Sequence, residues 1–168
     1  MDFFQTLDCS HKICLLCYSR METTGTTMSG QYHTFMKCPF CMASTGTQIG
    51  TCPNGTMTVT ELMMSATGHE KYNVFSINYN VPGSRGLNRT AYIPNSPEGK
   101  KVVKLLKIAW DRRLCFTIGT SVTTGQQNVL VWNIHHKTAL HGGEMAHGYP
   151  DPTYLNRVQQ ELAQFGIF

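Results

Sequence analysis

Charge is scarce in this sequence. Only 14% of its 168 residues are Asp, Glu, Lys or Arg, too few for long, solvated disordered tails. No stretch approaches the roughly 20 apolar residues needed to span a bilayer, which excludes a membrane-spanning helix. The opening "MDFFQTLDC" lacks the basic leader and apolar run of a secretory signal. The few charges sum to +4. That balance suits an anionic small ligand or an acidic partner, and is too slight to argue for DNA. There is no internal repeat. With 41% hydrophobic residues, the length fits one ordinary domain, or a small module joined to a domain of about 120 residues.

Cysteine is plentiful and unevenly placed. Cys9, Cys14, Cys17, Cys38 and Cys41 crowd the start; Cys52 and Cys115 stand apart. Short spacings of this kind are metal-ligand arithmetic rather than a disulfide framework, so a reducing compartment, cytosol or nucleus, is expected. The glycosylation-type triplets at Asn54 and Asn88 are then chance matches. Cys52 and Cys115 are expected to be plain thiols, with Cys115 in the core. The ligand pattern is Cys9-x-His11-x2-Cys14-x2-Cys17, then Cys38-Pro39-Phe40-Cys41. Zinc prefers thiolate and imidazole in a closed tetrahedron, and C-x2-C pairs can grip one ion from a tight turn. The pattern resembles a RING finger, whose eight ligands form two interleaved zinc sites. On that resemblance Cys9, His11, Cys38 and Cys41 complete one site, and Cys14 and Cys17 are half of the other. The remaining two ligands are expected upstream of Met1, leaving an N-terminally incomplete RING over residues 1–46. Pro39 is typical of the RING surface that meets a ubiquitin-conjugating enzyme.

"ASTGTQIGTCPNGTMTV" is rich in Gly and Thr and reads as a linker. "MTVTEL", "YNVFSINYNV" and "AYIP" are strand-like. "NSPEGKKVVKLLKIAWDRRL" is the clearest helix: Asn95 or Ser96 can cap it, Pro97 suits its first turn, and Glu98 favours its N-terminal dipole. Val102, Leu105, Leu106, Ala109 and Trp110 share one face. Lys100, Lys101, Lys104 and Lys107 lie largely on the other, where a solvated surface explains them better than an anion site. Four lysines without an aromatic platform make a poor nucleic-acid surface. "RLCFTIGT" and "NVLVWN" read as buried strands joined by a Thr/Gly turn. A last helix starts at "DPTYLNRVQQELAQFG", with Asp151 as cap, Pro152 in the first turn and Gly166 just past the end. Tyr154, Leu155, Val158 and Leu162 form its core face, and Glu161 lies beside that stripe. The fold class these elements predict is α+β: a small zinc-stabilised unit, then a mixed domain of two main helices on a mostly antiparallel sheet.

Residues 132–151, "WNIHHKTALHGGEMAHGYPD", concentrate four of the seven histidines. A second metal site would want cysteine or compact ligand spacing. Packed structural histidines, or imidazoles lining a pocket for a polar planar ligand, both remain open on the residues alone. "IHHKT" followed by "HGYPDPTYL", together with "RTAYIPN", "EGKKVVKLLKIAWDRRLCFTIGTS" and "TTG", resembles the deltex C-terminal domain, here over residues 47–168. That domain follows a RING in the deltex family of ubiquitin ligases. The resemblance implies a RING that presents a ubiquitin-charged conjugating enzyme (E2), and a domain that binds ADP-ribose or NAD. It implies transfer of ubiquitin to ADP-ribosylated or other protein substrates, with Notch or DNA-damage signalling as candidate pathways. Position by position it assigns His135, His147 and Tyr149, with the turn carrying Ser121, Thr123, Thr124 and Gly125, to the nucleotide. It assigns Glu161, with His135, to catalysis, the carboxylate serving as general base on a ribose hydroxyl. The chain departs from the family by one residue fewer before Ile134, a shorter loop near "NVPGSRGLNR", and Val122 where a polar residue is usual. The other reading is a non-catalytic ADP-ribose-binding or scaffold module with a degenerate RING.

Overall fold

Two hydrophobic clusters organise the computed structural model, which describes residues 3–83 and 87–168. The tip of the shortened loop, residues 84–86, lies outside the described residues. The smaller cluster gathers Leu7, Ile13, Met36 and Cys38. Around it stand β1 (Phe4–Thr6) paired with β2 (Lys12–Cys14), the short α1 (Leu15–Met21), and an antiparallel sheet of β3 (Thr23–Thr26), β4 (Tyr32–Lys37) and β5 (Ser44–Gly46). Four buried side chains, each contributing about 1.5–3 kcal/mol, are a thin core for five strands. α1 buries none of its residues. A bound metal is what stabilises units of this kind.

The Gly/Thr-rich segment is not a free linker. Ser44–Gly46 is the edge strand β5. Ile49 is buried against Gly25, where an added Cβ would sit 2.6 Å from the Ile49 Cβ. The Gly50 amide donates to Arg112 O (2.8 Å), and the Cys52 side chain enters the larger core. Its hydrophobic residues, few as they are, find cover on both sides.

The larger cluster lies between a three-stranded meander and two helices. β6 (Thr56–Leu62), β7 (Val74–Val81) and β8 (Leu87–Pro94) pair antiparallel in sequence order. Alternation puts Ile77, Tyr79 and Val81 into the core. α2 (Pro97–Asp111) begins as the sequence predicts: Ser96 Oγ accepts the Gly99 amide, Pro97 opens the helix, and Glu98 sits in its first turn. Gly99 is required by contact, since a Cβ there would meet Pro94 O at 1.8 Å. Val102, Leu105, Leu106, Ala109 and Trp110 are buried, and the four lysines are exposed. Antiparallel β9 (Phe116–Gly119) and β10 (Val129–Trp132) form a separate hairpin. Every strand pair among the described residues is antiparallel, so the α+β class stands. Burial pushes the Cys52 thiol up to about 11 and the Cys115 thiol up to about 12, marking both as inert core thiols.

α3 (Tyr154–Gln164) buries Tyr154, Leu155, Val158 and Leu162 as expected, and Gly166 past its end has φ +75°. Its start corrects the sequence reading. Thr153 is the N-cap residue, and its side chain makes no capping bond to the helix amides. Asp151 is instead buried between Lys137 Nζ (2.7 Å) and Arg157 Nη2 (2.8 Å). A carboxylate taken out of water is held by paired charges rather than by helix amides alone.

The clusters are joined by the turn after β3. The Met28 amide donates to Asp111 O (2.8 Å), the Ser29 amide and hydroxyl donate to the Asp111 carboxylate (2.8 and 3.0 Å), and Arg113 Nε donates to Thr26 O (2.7 Å). No helix among the described residues is long and apolar enough to cross a membrane.

Candidate functional site

The β9–β10 connection curls tightly: the Gly125 amide donates to Ser121 O (2.8 Å), and Gly125 has φ +69°. After β10 the chain is pinned by Asn133. Its amide donates to Cys115 O (2.9 Å) and its side chain to Leu114 O (2.8 Å). That anchor sets the phase of the next four residues: Ile134, His136 and Lys137 turn inward, and His135 turns outward.

The two adjacent histidines therefore do different things. His136 is buried and stacked on Trp132 (4.3 Å between centroids, 27°), and Trp132 lies in turn on Phe116 (4.5 Å, 30°). Its Nδ1 donates to Ile134 O (2.7 Å), so Nε2 accepts from the Tyr79 hydroxyl (2.7 Å). Burial holds this imidazole down to about 4, against the pull of the Ile134 carbonyl, and it stays neutral. Trp132, His135, His136 and His147 line a cavity of about 530 Å³ together with Ser121, Thr123 and Arg89. That is an ordinary size for a small-molecule site.

The His135 side chain is 86% exposed. Its Nδ1 meets one oxygen of Glu161, and its backbone amide donates to the other (2.9 Å). The Tyr154 hydroxyl donates to His135 O (2.8 Å), so α3 holds this residue by both ends of its backbone. A carboxylate only accepts. Nδ1 therefore carries the proton in that contact, which leaves Nε2 as the ring nitrogen not engaged by Glu161. Glu161 lines an adjoining cleft of about 380 Å³, with Tyr154, Arg157, Gln160 and Gln164; His135 belongs to both spaces. His147 caps a single 3-10 turn (Glu144–Ala146) at φ +53°. Its carbonyl accepts the Thr138 amide (2.9 Å), which ties it to the histidine pair. Lys137, paired with Asp151, fixes the same segment to α3. Arg157 first, and Lys137 after it, hold the Asp151 carboxyl well below the usual range, against the opposing effect of burial.

A second constellation lies in the smaller unit. One ligand atom each from Cys9, His11, Cys38 and Cys41 fall within 4.8 Å of one another. Cys9 Sγ and Cys38 Sγ lie 3.4 and 3.6 Å from His11 Nδ1, close to the edge of about 3.5 Å expected of a tetrahedron around zinc. Two turns build the group. One closes through the Ser10 amide on Leu7 O (2.8 Å), the other through the Met42 amide on Cys38 O (2.9 Å). Burial pushes the Cys38 thiol up, but the amides of Cys41 and Phe40 and the neighbouring thiols outweigh it and bring it to about 7, toward the thiolate a metal needs. This cluster could hold zinc. Cys14 and Cys17 are not part of it; Cys14 Sγ instead accepts the Cys17 amide at 3.2 Å.

Residues 49–167 match the deltex C-terminal domain. The chain belongs to the deltex family. It is 42% identical over 175 residues to "Probable E3 ubiquitin-protein ligase DTX3" of Homo sapiens, an alignment covering 95% of this chain and 48% of that protein. It is 38% identical to "E3 ubiquitin-protein ligase DTX1" of Homo sapiens and 37% to "E3 ubiquitin-protein ligase DTX4" of Mus musculus, over 95% of this chain and 27% and 28% of those proteins. The chain thus spans about half, or less, of the length of these relatives.

Within this deltex chain, Ser121, Thr123, His135 and His147 come together on one cavity wall, and Val122 joins them. Thr124 and Gly125 lie in the same turn but off that wall. Tyr149 does not line the cavity at all: it is wholly buried, and its hydroxyl donates to Tyr92 O (2.8 Å). Burial drives its hydroxyl pKa well up, and its carbonyl accepts the Gly143 amide (2.9 Å), which supports the turn that leads to His147 from behind. Sequence reasoning missed Trp132, Thr138 and Arg89 on the wall, and the Lys137–Asp151 pair beneath it. Arg89 had a legible signal: it shares strand parity with the core residues Leu87, Ala91 and Ile93.

Proposed function

We propose that this chain is the catalytic portion of an E3 ubiquitin-protein ligase, in which the N-terminal zinc unit recruits a ubiquitin-charged E2 and the cavity binds ADP-ribose or NAD as the acceptor. The names of its relatives support the ligase reading, and the deltex match supports the cavity as its acceptor site. The observation that carries the mechanism is the His135–Glu161 pair at the junction of two clefts. Both oxygens of Glu161 are engaged by His135, and only His135 reaches the cavity. The proton acceptor is therefore His135 Nε2, with Glu161 holding the tautomer and stabilising the imidazolium that forms, the division of labour in a Ser-His-Asp triad. A ribose hydroxyl gives its proton to Nε2 as its oxygen bonds to the thioester carbonyl carbon. The carbon–sulfur bond breaks, the E2 cysteine leaves, and the proton can pass to that sulfur. Ubiquitin ends as an ester on the ribose. Much of the acceleration comes from holding two bound partners together. Cys9, His11, Cys38 and Cys41 would hold zinc, which would there supply structural support to the E2-binding unit.

The test is single-turnover discharge of a ubiquitin-charged E2 onto ADP-ribose, with calorimetric ADP-ribose binding measured in parallel. The reading requires His135→Ala to stop discharge. It fails if the wild-type chain binds no ADP-ribose. The separation of Cys14 and Cys17 from the four-ligand group favours one other reading, a binding module without transfer. Saturable ADP-ribose binding, one zinc per chain and no discharge with any charged E2 would select it.

A further inference from the structure

α3 carries three glutamines, Gln159, Gln160 and Gln164. Gln159 is engaged in packing: its Nε2 donates to Leu155 O (2.9 Å) and to Glu98 Oε1 (3.1 Å), which ties α3 to α2. Gln160 and Gln164 are exposed and line the cleft of about 380 Å³ beside His135 and Glu161. Among the described residues, neither side chain has a hydrogen-bond partner in the protein. The charged groups of the cleft are already matched. Arg157 is bonded to Asp151 through both Nη atoms (2.9 and 2.8 Å), and Glu161 gives both oxygens to His135. What is left is a neutral surface of carboxamides, each able to donate and to accept. Such a surface does not select an anion. It matches a peptide backbone, which offers a donor and an acceptor at each residue. From Arg157 to Gln164 this helix face runs about 10 Å, at a rise of about 1.5 Å per residue, the span of about three extended residues.

The place of the cleft says which peptide. Transfer needs the acyl carbon within about 3–3.5 Å of the attacking oxygen, and in the proposed mechanism that oxygen gives its proton to His135. The acceptor fills the cavity, so the donor must reach the same ring from another direction. The α3 cleft opens there, since His135 lines both spaces. We infer that the α3 cleft seats the C-terminal tail of the thioester-linked ubiquitin, extended along Gln160 and Gln164 with its acyl end at His135. The occupant is the acyl-bearing end of a polypeptide, held through its backbone. This rests on the ligase reading and adds to it the path by which the donor arrives.

Single-turnover discharge of a ubiquitin-charged E2 onto saturating ADP-ribose, free and attached to a protein, tests this on the full chain. Wild type is compared with Gln160→Ala/Gln164→Ala and with Gln164→Trp, and ADP-ribose calorimetry runs alongside. Loss of two neutral hydrogen bonds should slow the maximal rate about 5- to 100-fold with either acceptor, and an indole filling the cleft should slow it at least as much. ADP-ribose affinity should stay at its wild-type value. So should the chain concentration that half-saturates the rate, because the N-terminal unit holds the E2. Wild-type rates in both variants overturn the docking and leave the ligase reading standing. A loss confined to protein-attached ADP-ribose overturns it too, and gives the cleft to the acceptor's carrier. ADP-ribose affinity that falls in step with the rate overturns it as well, since the amides then serve the cavity. A wild type that discharges no charged E2 overturns the docking together with the transfer reading beneath it.

Discussion

If His135 removes the proton and Glu161 acts only through it, the two residues are one device, and their losses cannot add. A positioned general base contributes about 10²- to 10⁴-fold, or about 2.7–5.5 kcal/mol of barrier. His135→Ala removes the base and should cost that whole factor. Glu161→Ala leaves an imidazole without its tautomer lock or a counter-charge; with the backbone amide of His135 also unpaired, it should cost nearly as much. For independent residues the double variant would lose about 10⁴- to 10⁸-fold by multiplication. For the pair bonded as it is here, it should be no slower than His135→Ala, a coupling energy close to the smaller of the two single effects. Single-turnover discharge onto saturating ADP-ribose measures this, with binding measured separately so that a lost ligand is not mistaken for a lost base. Glu161→Ala should bind ADP-ribose nearly as wild type does, because Glu161 is off the cavity wall. Multiplicative losses would refute the reasoning, and so would a His135→Ala variant that retains most of the rate while Glu161→Ala is dead. The second result would return the base to the carboxylate.

The geometry sets three further outcomes. Asp151→Asn leaves Lys137 buried without its counter-charge and should lower the unfolding free energy in urea by about 3–5 kcal/mol. Because the folded Asp151 pKa is depressed, the wild-type contribution is complete above the usual carboxylate pKa of about 4 and fades as pH falls below it; stability curves of the variant should lack that acid-limb loss. His136, at about 4 when folded against about 6.5 when unfolded, makes stability fall as pH drops from about 6.5 to about 4, by on the order of 3 kcal/mol, and urea titrations of His136→Gln across that range should show a flatter slope. Cys38→Ala should abolish zinc retention by metal analysis while ADP-ribose binding persists, since the cavity draws no residue from the metal cluster; loss of both would tie the two sites more closely than their contacts imply.

Legibility from sequence alone divides along physical lines. α2 was legible because its apolar stripe, its cap and its first-turn proline and acid all lie within one window and agree. α3 was legible in its buried face but not at its start. An Asp followed by Pro looks the same whether it caps a helix or neutralises a lysine fourteen positions earlier, and only tertiary contact distinguishes Lys137–Asp151 from an Asp151 cap. The segment after Cys41 reads as linker because glycine and threonine dominate it, and the few residues that fasten it, Ile49, Gly50 and Cys52, carry little weight in composition. The His135 and Glu161 assignment came from resemblance to a family; nothing in periodicity brings residues 26 apart into contact. Resemblance also led to Tyr149 as a ligand contact, where neighbouring His147 does face the cavity and Tyr149 turns away into the core. With one residue fewer before Ile134, Asn133 is bonded to Leu114 and Cys115 just ahead of β9, and His135 turns outward while His136 turns inward.

The turn around Ser29 is fastened to the C-terminal end of α2 by a carboxylate, a carbonyl and a guanidinium, and the strap at Gly50 and Cys52 is fastened beside it. Whatever docks on the N-terminal unit is thereby surveyed against the cavity through one stiff helix, as a jig locates a drill. Such an arrangement selects by reach. On the proposed ligase reading, an acceptor that seats at the correct depth would meet the E2 thioester, and one that seats a few ångströms short would not, however tightly it is held. Loosening the jig, as Asp111→Ala would, should blur that selection without altering a single residue that touches the acceptor: correct acceptors react more slowly, and ill-fitting ones gain ground.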